Sequence, residues 1–176
     1  MSIFSFQSVR LPNTIEGGAV VFKDKALYEK ACICRDQGIR RNIFRDADGE
    51  ISPKCDIYMK GFAGTMSDVN SYIGCLQMEA LPELLEKQKA NALRWKEKGI
   101  ICPLLRDEIE PNYWVYGMLV DNKREQLRQC KADGYNCSGI HLPNFYYSVF
   151  GEQGQFSGIT EFHNKYIAIP CGWWME

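Results

Sequence analysis

A long helical pattern between residues 67 and 98 constrains the fold more than any other feature of the sequence. Ser67 and Asp68 form a start signal for a helix. The apolar residues that follow recur every three or four positions, as one face of a helix requires, at Val69, Ile73, Leu76 and Ala80. Pro82 then predicts a kink or a restart, because proline lacks the N–H that a helix interior uses. A chain with this pattern must supply other elements against which the apolar face can pack.

The second part of this pattern runs from Glu83 to Lys98 and ends at Gly99. Its inward-facing residues are predicted to be Leu84, Leu85, Ala92 and Trp95. Lysine, glutamate and glutamine fill the opposite face, and this arrangement is typical of a solvated helix surface.

Two β-forming runs and a shorter helix precede the long pattern. Residues 3–9 alternate and predict a strand. Residues 19–22 form a short, wholly apolar run of the kind that a sheet covered on both faces buries. A helix is predicted over residues 24–36, with Asp24 as its N-cap and Gly38 as its stop.

Asp48 and Gly49 predict a turn, because glycine tolerates the positive φ that a tight hairpin needs, and residues 41–58 are therefore predicted to form a hairpin. The later elements are predicted in the order strand 113–120, helix 123–132, strand 137–142, helical turn 161–166 and strand 167–170. This order of strands and helices predicts an α/β or α+β fold with a boundary near residues 80–103.

The composition excludes several classes of protein. With 176 residues, of which 45% are hydrophobic, the chain has room for one domain or two small ones and can bury a core. The 21 Lys and Arg residues against 22 Asp and Glu residues give a net charge of −1, which argues against a protein that coats nucleic acid. No apolar run reaches the ~20 residues of a membrane span, and the N-terminus lacks the pattern of a signal peptide. We therefore expect a cytoplasmic protein without nucleic-acid or membrane partners.

Eight cysteines are spread through the predicted helices and strands, which favours buried or half-buried thiols over a disulfide framework. A zinc site is the alternative, because Cys137 and His141 could supply half of one, with Cys130 and His163 as distant ligands. The spacing of these four residues is too loose for a common zinc motif, so no metal site is expected.

One segment near the N-terminus resembles a known motif. Ser5 and Phe6 are followed by three residues, Arg10, five further residues and then Glu16-Gly-Gly18 ahead of an apolar strand. This pattern is similar to the lysine motif of the nucleotide-sugar aminotransferases of the DegT/DnrJ group, which depend on pyridoxal phosphate (PLP). That motif has Ser-Phe, three residues, Lys, five residues and Glu-Gly-Gly. Arg10 stands at the position of the lysine.

Further landmarks of the same family follow in the family's order and cover nearly the whole chain. They are Arg35-Asp-Gln-Gly38, Gly61-Phe62, Met66-Ser-Asp68, Ile73-Gly74 with Leu76-Gln77, Gly139-Ile-His141 with Pro143, and Ile169-Pro170. Each piece is short, and their compatible spacing makes the resemblance specific.

The resemblance implies a fold type I aminotransferase, of which this chain corresponds to the later half. Residues 1–80 are then expected to be the end of the PLP-binding large domain, and residues 81–176 the small C-terminal α+β domain, with a mixed sheet and long helices. The family's phosphate-binding loop, ring-stacking aromatic residue and pyridine-pairing Asp all precede the lysine, so they have no counterpart in this sequence. We therefore expect a natural fragment or one half of a split protein.

The residues at the family's functional positions depart from its pattern. PLP chemistry needs an amine that can lose its proton and form a Schiff base, whereas the guanidinium of Arg10 stays protonated. In the family, a loop after Gly61-Phe62 reaches a neighbouring subunit's cofactor phosphate through polar side chains, but this chain has Ala63 and Thr65 there. Ser5 retains a serine that contacts the phosphate in the family. No residue is therefore assigned a catalytic role, and Ser5, Arg10 and Thr65 are the candidate cofactor contacts, with PLP expected to bind weakly or not at all.

His141 is the candidate contact for a nucleotide-sugar ligand. It matches a histidine that lies near the substrate-binding surface in the family. The alternative is a histidine at a strand end that is satisfied by the backbone.

Three hypotheses about function remain open. In the first, the chain is the C-terminal part of a sugar aminotransferase-like protein that works only with an N-terminal half, on nucleotide-linked keto-sugars with glutamate as amino donor. In the second, it is a non-catalytic assembly or regulatory partner of an active aminotransferase. In the third, it is an unrelated binding domain. Strands that the family buries in a larger sheet would leave unpaired edges and an apolar patch here, so we expect a homo-oligomer or a complex with an N-terminal half.

Overall fold

The computed structural model describes residues 1–103, 105–106, 108–151, 154 and 156–175. The chain divides into two units, Met1–Ala80 and Leu81–Glu176. The first unit contains strands β1 (Ser2–Ser5) and β2 (Gly18–Val21), helices α1 (Lys25–Arg35) and α2 (Arg41–Phe44), and the first part of helix α3 (Asp68–Glu97). The second contains the rest of α3, strand β3 (Tyr116–Leu119), helix α4 (Lys123–Ala132), 3₁₀ turns at Asn144–Tyr146 and Ser148–Phe150, helix α5 (Ser157–Lys165) and strand β4 (Tyr166–Ile169).

The mixture of helices and small sheets agrees with the predicted class of fold. In place of one mixed sheet, the described residues form two antiparallel pairs, β1 with β2 and β3 with β4. Among the helices of the described residues, none is both long enough and apolar enough to cross a bilayer.

The sheet of the first unit is shorter and more exposed than predicted. Ser5 is the last residue of β1 and lies opposite Gly18, so the predicted strand over residues 3–9 is too long. Val20 and Val21 are 45% and 54% exposed, although their apolar run predicts burial on both faces. These side chains remain exposed because, within the described residues, the sheet has only two strands.

Helix α1 begins and ends where the sequence predicts. The Asp24 carboxylate accepts a hydrogen bond from the Leu27 N–H at 3.0 Å and so caps the first turn. Gly38 follows the helix with φ +83°, and a Cβ at this position would collide with the carbonyl oxygen of Met59. Both the left-handed backbone and the close approach therefore require glycine.

The hairpin predicted for residues 41–58 is wrong except for its turn. Gly49 has φ +83°, and Arg45 and Ile51 form an isolated antiparallel bridge. The preceding residues form helix α2 rather than a strand, and residues 52–58 form no strand. The helical turn puts Arg41 three residues before Phe44 and so brings its guanidinium over the Phe44 ring, 6.0 Å from the centroid, a contact that alternating strand residues would not make.

Helix α3 continues through Pro82, so the predicted kink or restart does not end it. In its first part the predicted apolar face is largely exposed, since Val69 and Leu76 are 67% and 50% exposed. The residues that are at least half covered lie on an offset face and are Asn70, Ile73, Gly74 and Gln77. This offset face, with the amides of Asn70 and Gln77, contacts the β1–β2 loop and orients this part of the helix.

The second part of α3 faces the core of the second unit. Ala92 and Trp95 are buried, as predicted. Gln88 and Asn91 are also buried, which the sequence analysis missed. Burial of these amides is tolerated because they bind backbone carbonyls, as when Asn91 Nδ2 donates to Gly172 O at 2.8 Å.

The core of the second unit lies on the sheet formed by β3 and β4, in which Tyr116 is opposite Ile169. The buried apolar cluster consists of Ala92, Trp95, Tyr116, Cys130, Cys137, Ile167, Ile169 and Cys171. Helix α4 has the predicted bounds, and the Asn122 side chain caps it. The strand predicted over residues 137–142 is reduced to a single bridge between Ser138 and Ala168.

Candidate functional site

The candidate site is built on the loop between β1 and β2, which carries Arg10. The base of the loop is closed by the backbone, because the Phe6 N–H donates to Gly17 O at 2.9 Å and the Thr14 N–H donates to Phe6 O at 2.8 Å. Thr14 is buried, and its Oγ1 lies 3.0 Å from Glu16 O and 3.3 Å from Phe6 O. The loop therefore has a fixed shape set largely by its own backbone.

Helix α3 holds this loop through polar side chains on one face. The Asn13 N–H donates to Gln77 Oε1 at 2.8 Å, and Asn70 Nδ2 donates to Glu16 O at 2.9 Å. Asn70 and Gln77 are seven residues apart, or about two helical turns, so both reach the loop from the same side. In the sequence, this seven-residue spacing indicates that the two amides share one face of the helix. The sequence analysis missed it because it followed only the apolar residues.

Glycines let the loop and its neighbours pack closely. A Cβ at Gly74 would lie 2.7 Å from Thr14 Cγ2, and one at Gly17 would lie 2.6 Å from Met66 Cε. The segment just before α3, which includes Thr65, therefore lies beside the end of the loop.

Two of the predicted cofactor contacts lie beside the same end of the loop. Ser5 is exposed at the end of β1 and pairs with Gly18. Thr65 is exposed and directly precedes Met66, which packs on Gly17. The side-chain hydroxyls of Ser5 and Thr65 can each donate a hydrogen bond to an anion.

Arg10, the third predicted contact, lies in the same unit. It is half-buried, and its backbone N–H donates to Gln7 O at 2.8 Å in a turn within the loop. Guanidinium and hydroxyl groups are the kinds of donor that bind a phosphate or a carboxylate, so these three residues keep the chemistry expected of anion contacts.

This donor set does not fit PLP as a covalently attached cofactor. Covalent attachment needs a primary amine, and residues 6–17 include no lysine. The first lysine in the chain is Lys23, beyond the loop and outside β2. No catalytic role for Arg10 follows from the geometry.

His141, the predicted substrate contact, belongs to the second unit and is exposed. Its ring stacks on Trp114, with centroids 6.3 Å apart and planes within 13° of parallel. The sequence analysis did not single out Trp114 as a site residue. Trp114 belongs to an aromatic run beside β3, which could have marked it as a candidate. Its contact with His141 could not be predicted because the two residues are far apart in the sequence.

Lys123 holds the segment that precedes His141. Its Nζ donates to the carbonyl oxygens of Gly139, at 3.3 Å, and of His163. Burial lowers the pKa of Lys123. Burial and the nearby Lys123 charge also lower the pKa of His163, so a neutral imidazole is favoured there.

The four residues considered as zinc ligands do not form a metal site. Cys130 and Cys137 are buried in the core of the second unit, whereas His141 is exposed on its surface. Burial and the adjacent Cys130 thiol raise the pKa of Cys137 to about 12, so Cys137 is a neutral thiol, and both buried cysteines lie within an apolar cluster. In the part of the chain that the structure describes, no three His, Cys, Asp or Glu residues are grouped as metal ligands. All eight cysteines are free thiols.

Comparisons with known proteins identify the family. The model of the DegT/DnrJ/EryC1/StrS aminotransferase family matches residues 1–172. A UDP-4-amino-4,6-dideoxy-N-acetyl-beta-L-altrosamine transaminase from Campylobacter jejuni subsp. jejuni serotype O:2 is 34% identical over 185 residues, covering 97% of this chain and 47% of the relative. The transaminase of the same name from Helicobacter pylori is 24% identical, with the same coverage of both chains.

The fold is also shared with solved structures. The sugar aminotransferase CalS13 from Micromonospora echinospora matches with a TM-score of 0.89 at 23% identity, over 99% of this chain and 47% of that one. The chain thus spans about half the length of the relatives it matches and corresponds to their C-terminal half. The predicted resemblance and the predicted fold type I architecture are confirmed. The chain belongs to the DegT/DnrJ/EryC1/StrS aminotransferase family.

Proposed function

We propose that this chain is the C-terminal portion of a sugar aminotransferase-like protein and is not competent for Schiff-base chemistry by itself. The observation that carries the proposal is Arg10, which occupies the loop position where the family motif has its lysine. A guanidinium remains protonated at physiological pH and offers no free electron pair for attack on a carbonyl carbon. The proposed substrate class, a nucleotide-linked keto-sugar with glutamate as amino donor, follows from the family.

We assign residues 1–80 to the end of a large domain and residues 81–176 to a small C-terminal domain. Ser5, Arg10 and Thr65 are the proposed contacts for a phosphate group in the first of these. His141, stacked on Trp114, is the proposed contact for the nucleotide sugar in the second.

A partner is part of this proposal, and exposed apolar residues of the first unit support it. Ile3 and Val20 lie opposite each other in the β1–β2 pair, so their side chains share one face. They are 72% and 45% exposed. Neighbouring apolar residues are also open, since Phe4 and Val21 are 51% and 54% exposed. A two-stranded sheet with such exposure is stabilised by a covering surface, which we propose is an N-terminal aminotransferase half or a second copy of the chain.

Reductive labelling tests the absence of Schiff-base chemistry. The wild-type chain is incubated with PLP, reduced with borohydride and mapped by mass spectrometry. We expect no lysine to be labelled stoichiometrically and no amino transfer from glutamate. A yellow, reducible adduct at one specific lysine, or amino transfer by the chain alone, would overturn the proposal.

A matched pair of variants tests the assignment of position 10. Arg10→Lys places an amine in the β1–β2 loop, at the position of the family's lysine, whereas Arg45→Lys places one beside the Gly49 turn. We expect residue 10 to be labelled by PLP more rapidly than residue 45. Equal labelling would show that the loop provides no cofactor position.

The second candidate function is a non-catalytic assembly or regulatory partner of an active aminotransferase. It is favoured by a second departure from the family pattern, because Ala63 offers no side-chain donor in the loop that precedes α3. Co-expression with a full-length active family member distinguishes the two. Stable co-purification with a changed rate of the active enzyme supports this candidate, and the absence of both argues against it.

A further inference from the structure

Tyr113 has a backbone conformation that is costly for a residue of its type. Its φ is +51°, in the left-handed region that favours glycine and asparagine. A bulky residue keeps such a conformation only where the surrounding structure holds it, and positions of this kind concentrate at functional sites. Tyr113 directly precedes Trp114, whose ring stacks on His141. The conformation of Tyr113 therefore determines the direction in which the Trp114 side chain leaves the backbone.

Two buried side chains hold the peptide groups on either side of Tyr113. Gln88 Nε2, from α3, donates to Asn112 O, which belongs to the peptide group before Tyr113. Cys171 Sγ, from the segment after β4, lies 3.0 Å from Tyr113 O, which belongs to the peptide group after it. Since φ and ψ of Tyr113 set the relative orientation of these two peptide groups, the two contacts together fix the left-handed conformation. Gln88 and Cys171 are themselves buried, so the core holds both donors.

The other half of the stacked pair stands on a segment that is held separately. The backbone of Ser138 exchanges two hydrogen bonds with Ala168 of β4, at 2.9 Å and 2.7 Å. Lys123 Nζ donates to Gly139 O, and a Cβ at Gly139 would collide with the Lys123 side chain. His141 follows two residues later. Both rings of the pair therefore project from segments that contacts within the second unit already order, which lowers the entropy lost on binding a ligand.

We propose that Gln88 and Cys171 are positioning residues for the ligand contact of the second unit. They act through Tyr113, because the left-handed conformation that they hold directs the Trp114 ring onto His141. The stacked pair is thereby a preformed surface whose affinity for a ligand depends on two buried donors outside it. The inference rests on the proposed function for the identity of the ligand, a nucleotide sugar, but not for the contacts that place the rings.

The proton resonances of His141 test the positioning role, because an adjacent indole ring displaces the signals of the imidazole protons. The chain has two histidines, so these signals are readily assigned in spectra of the full chain. The displacement is measured as the difference between the wild type and Trp114→Leu. We expect Gln88→Met and Cys171→Ala each to lose at least half of it. Cys171→Ser keeps a hydrogen-bond donor and should retain most of it.

Controls separate this effect from a general loss of structure. Lys87→Met changes an exposed residue of the same helix as Gln88 and should leave the displacement unchanged. His163, whose ring lies 6.0 Å from that of Tyr146, reports the fold of the second unit in the same spectra. Gln88→Met can unfold this unit, so the two Cys171 variants carry the test independently. An unchanged displacement in Gln88→Met and Cys171→Ala, or an equal loss in Lys87→Met, would overturn the proposal.

Calorimetric titration of the full chain with UDP-N-acetylglucosamine tests the link between the stacked pair and its ligand. We expect Cys171→Ser to bind like the wild type and Cys171→Ala to bind about tenfold more weakly, because a ring that is no longer held must be ordered on binding. Equal affinity of Cys171→Ala and the wild type, with the His141 displacement lost, would contradict the inference. Absence of binding by the wild type would contradict the proposed function alone, since the His141 resonances decide the positioning role separately.

Discussion

The Oε1 atom of Gln77 accepts a hydrogen bond at 2.8 Å from the backbone N–H of Asn13, so a side chain of α3 holds the loop on which Arg10 lies. Gln77→Leu keeps the approximate size of the side chain but cannot accept this bond. We expect it to lower the free energy of unfolding by about 1–3 kcal/mol, because the amide of Asn13 loses its acceptor. Hydrogen exchange should quicken at residues 13–17. Met78→Leu, at the exposed neighbouring position, is the control and should change neither quantity.

A second prediction concerns Asn91, whose Nδ2 donates to Gly172 O at 2.8 Å and lies 3.2 Å from Met175 O. Asn91→Leu should lower the free energy of unfolding of the second unit by about 1–3 kcal/mol, because these buried carbonyls lose their donor. Urea titration followed by tryptophan fluorescence measures this unit, since all four tryptophans lie after residue 80. Arg94→Gln, on the exposed side of the same helix, should leave the transition in place. A similar shift in both variants would show that helix propensity, not the buried amide, is responsible.

A third prediction follows from the buried thiol of Cys171, whose Sγ lies 3.0 Å from Tyr113 O. Burial raises the pKa of Cys171 from 9.0 to about 12. Between these two pKa values the unfolded chain has released a proton that the folded chain retains. The contribution of this thiol to the free energy of unfolding is therefore fully present below pH 9 and is lost as the pH rises towards 12. Cys171→Ser keeps a donor but does not titrate in this range. Between pH 8 and pH 10 the wild type should lose about 1 kcal/mol more stability than Cys171→Ser in urea titrations. Equal losses would contradict the assignment of the effect to this thiol.

A fourth prediction compares two glycines in helices. A Cβ at Gly74 would lie 2.7 Å from Thr14 Cγ2, and Thr14 is held by the bonds that close the loop. Gly74→Ala should therefore destabilise the first unit by about 1–3 kcal/mol despite the helix propensity of alanine. Gly158→Ala in α5 meets nothing within 4 Å and should raise stability by up to about 1 kcal/mol. Hydrogen exchange distinguishes the units, and equal effects of the two changes would argue against close packing at Gly74.

Local signals predicted the elements whose ends are set by neighbouring residues. The cap at Asp24, the positive φ of Gly38 and the bounds of α4 depend on interactions within a few positions, and the structure confirms them. The exposure of Val20 and the course of α3 through Pro82 depend on which distant elements are present to pack against them. Composition and periodicity do not contain that information.

The candidate site was predictable to a similar extent. The lysine-like motif located Ser5 and Arg10, and a separate landmark of the family located Thr65; the structure places all three in the first unit. The contact of Gln77 with the loop joins residues 64 positions apart, so the spacing of Asn70 and Gln77 indicates a polar face of the helix but not the loop that this face holds. Stacking of Trp114 on His141 was missed for the same reason.

The closure of the Arg10 loop has a consequence for substitution at position 10. The bonds described for it are made by backbone groups at positions 6, 7, 10, 13, 14, 16 and 17 and by the side chains of Thr14, Asn70 and Gln77. Most of these groups are backbone atoms, which every residue type supplies, so these particular bonds make no demand on which side chain stands at position 10. The hydrogen bonds that close the loop therefore do not discriminate between an arginine and a lysine at this position.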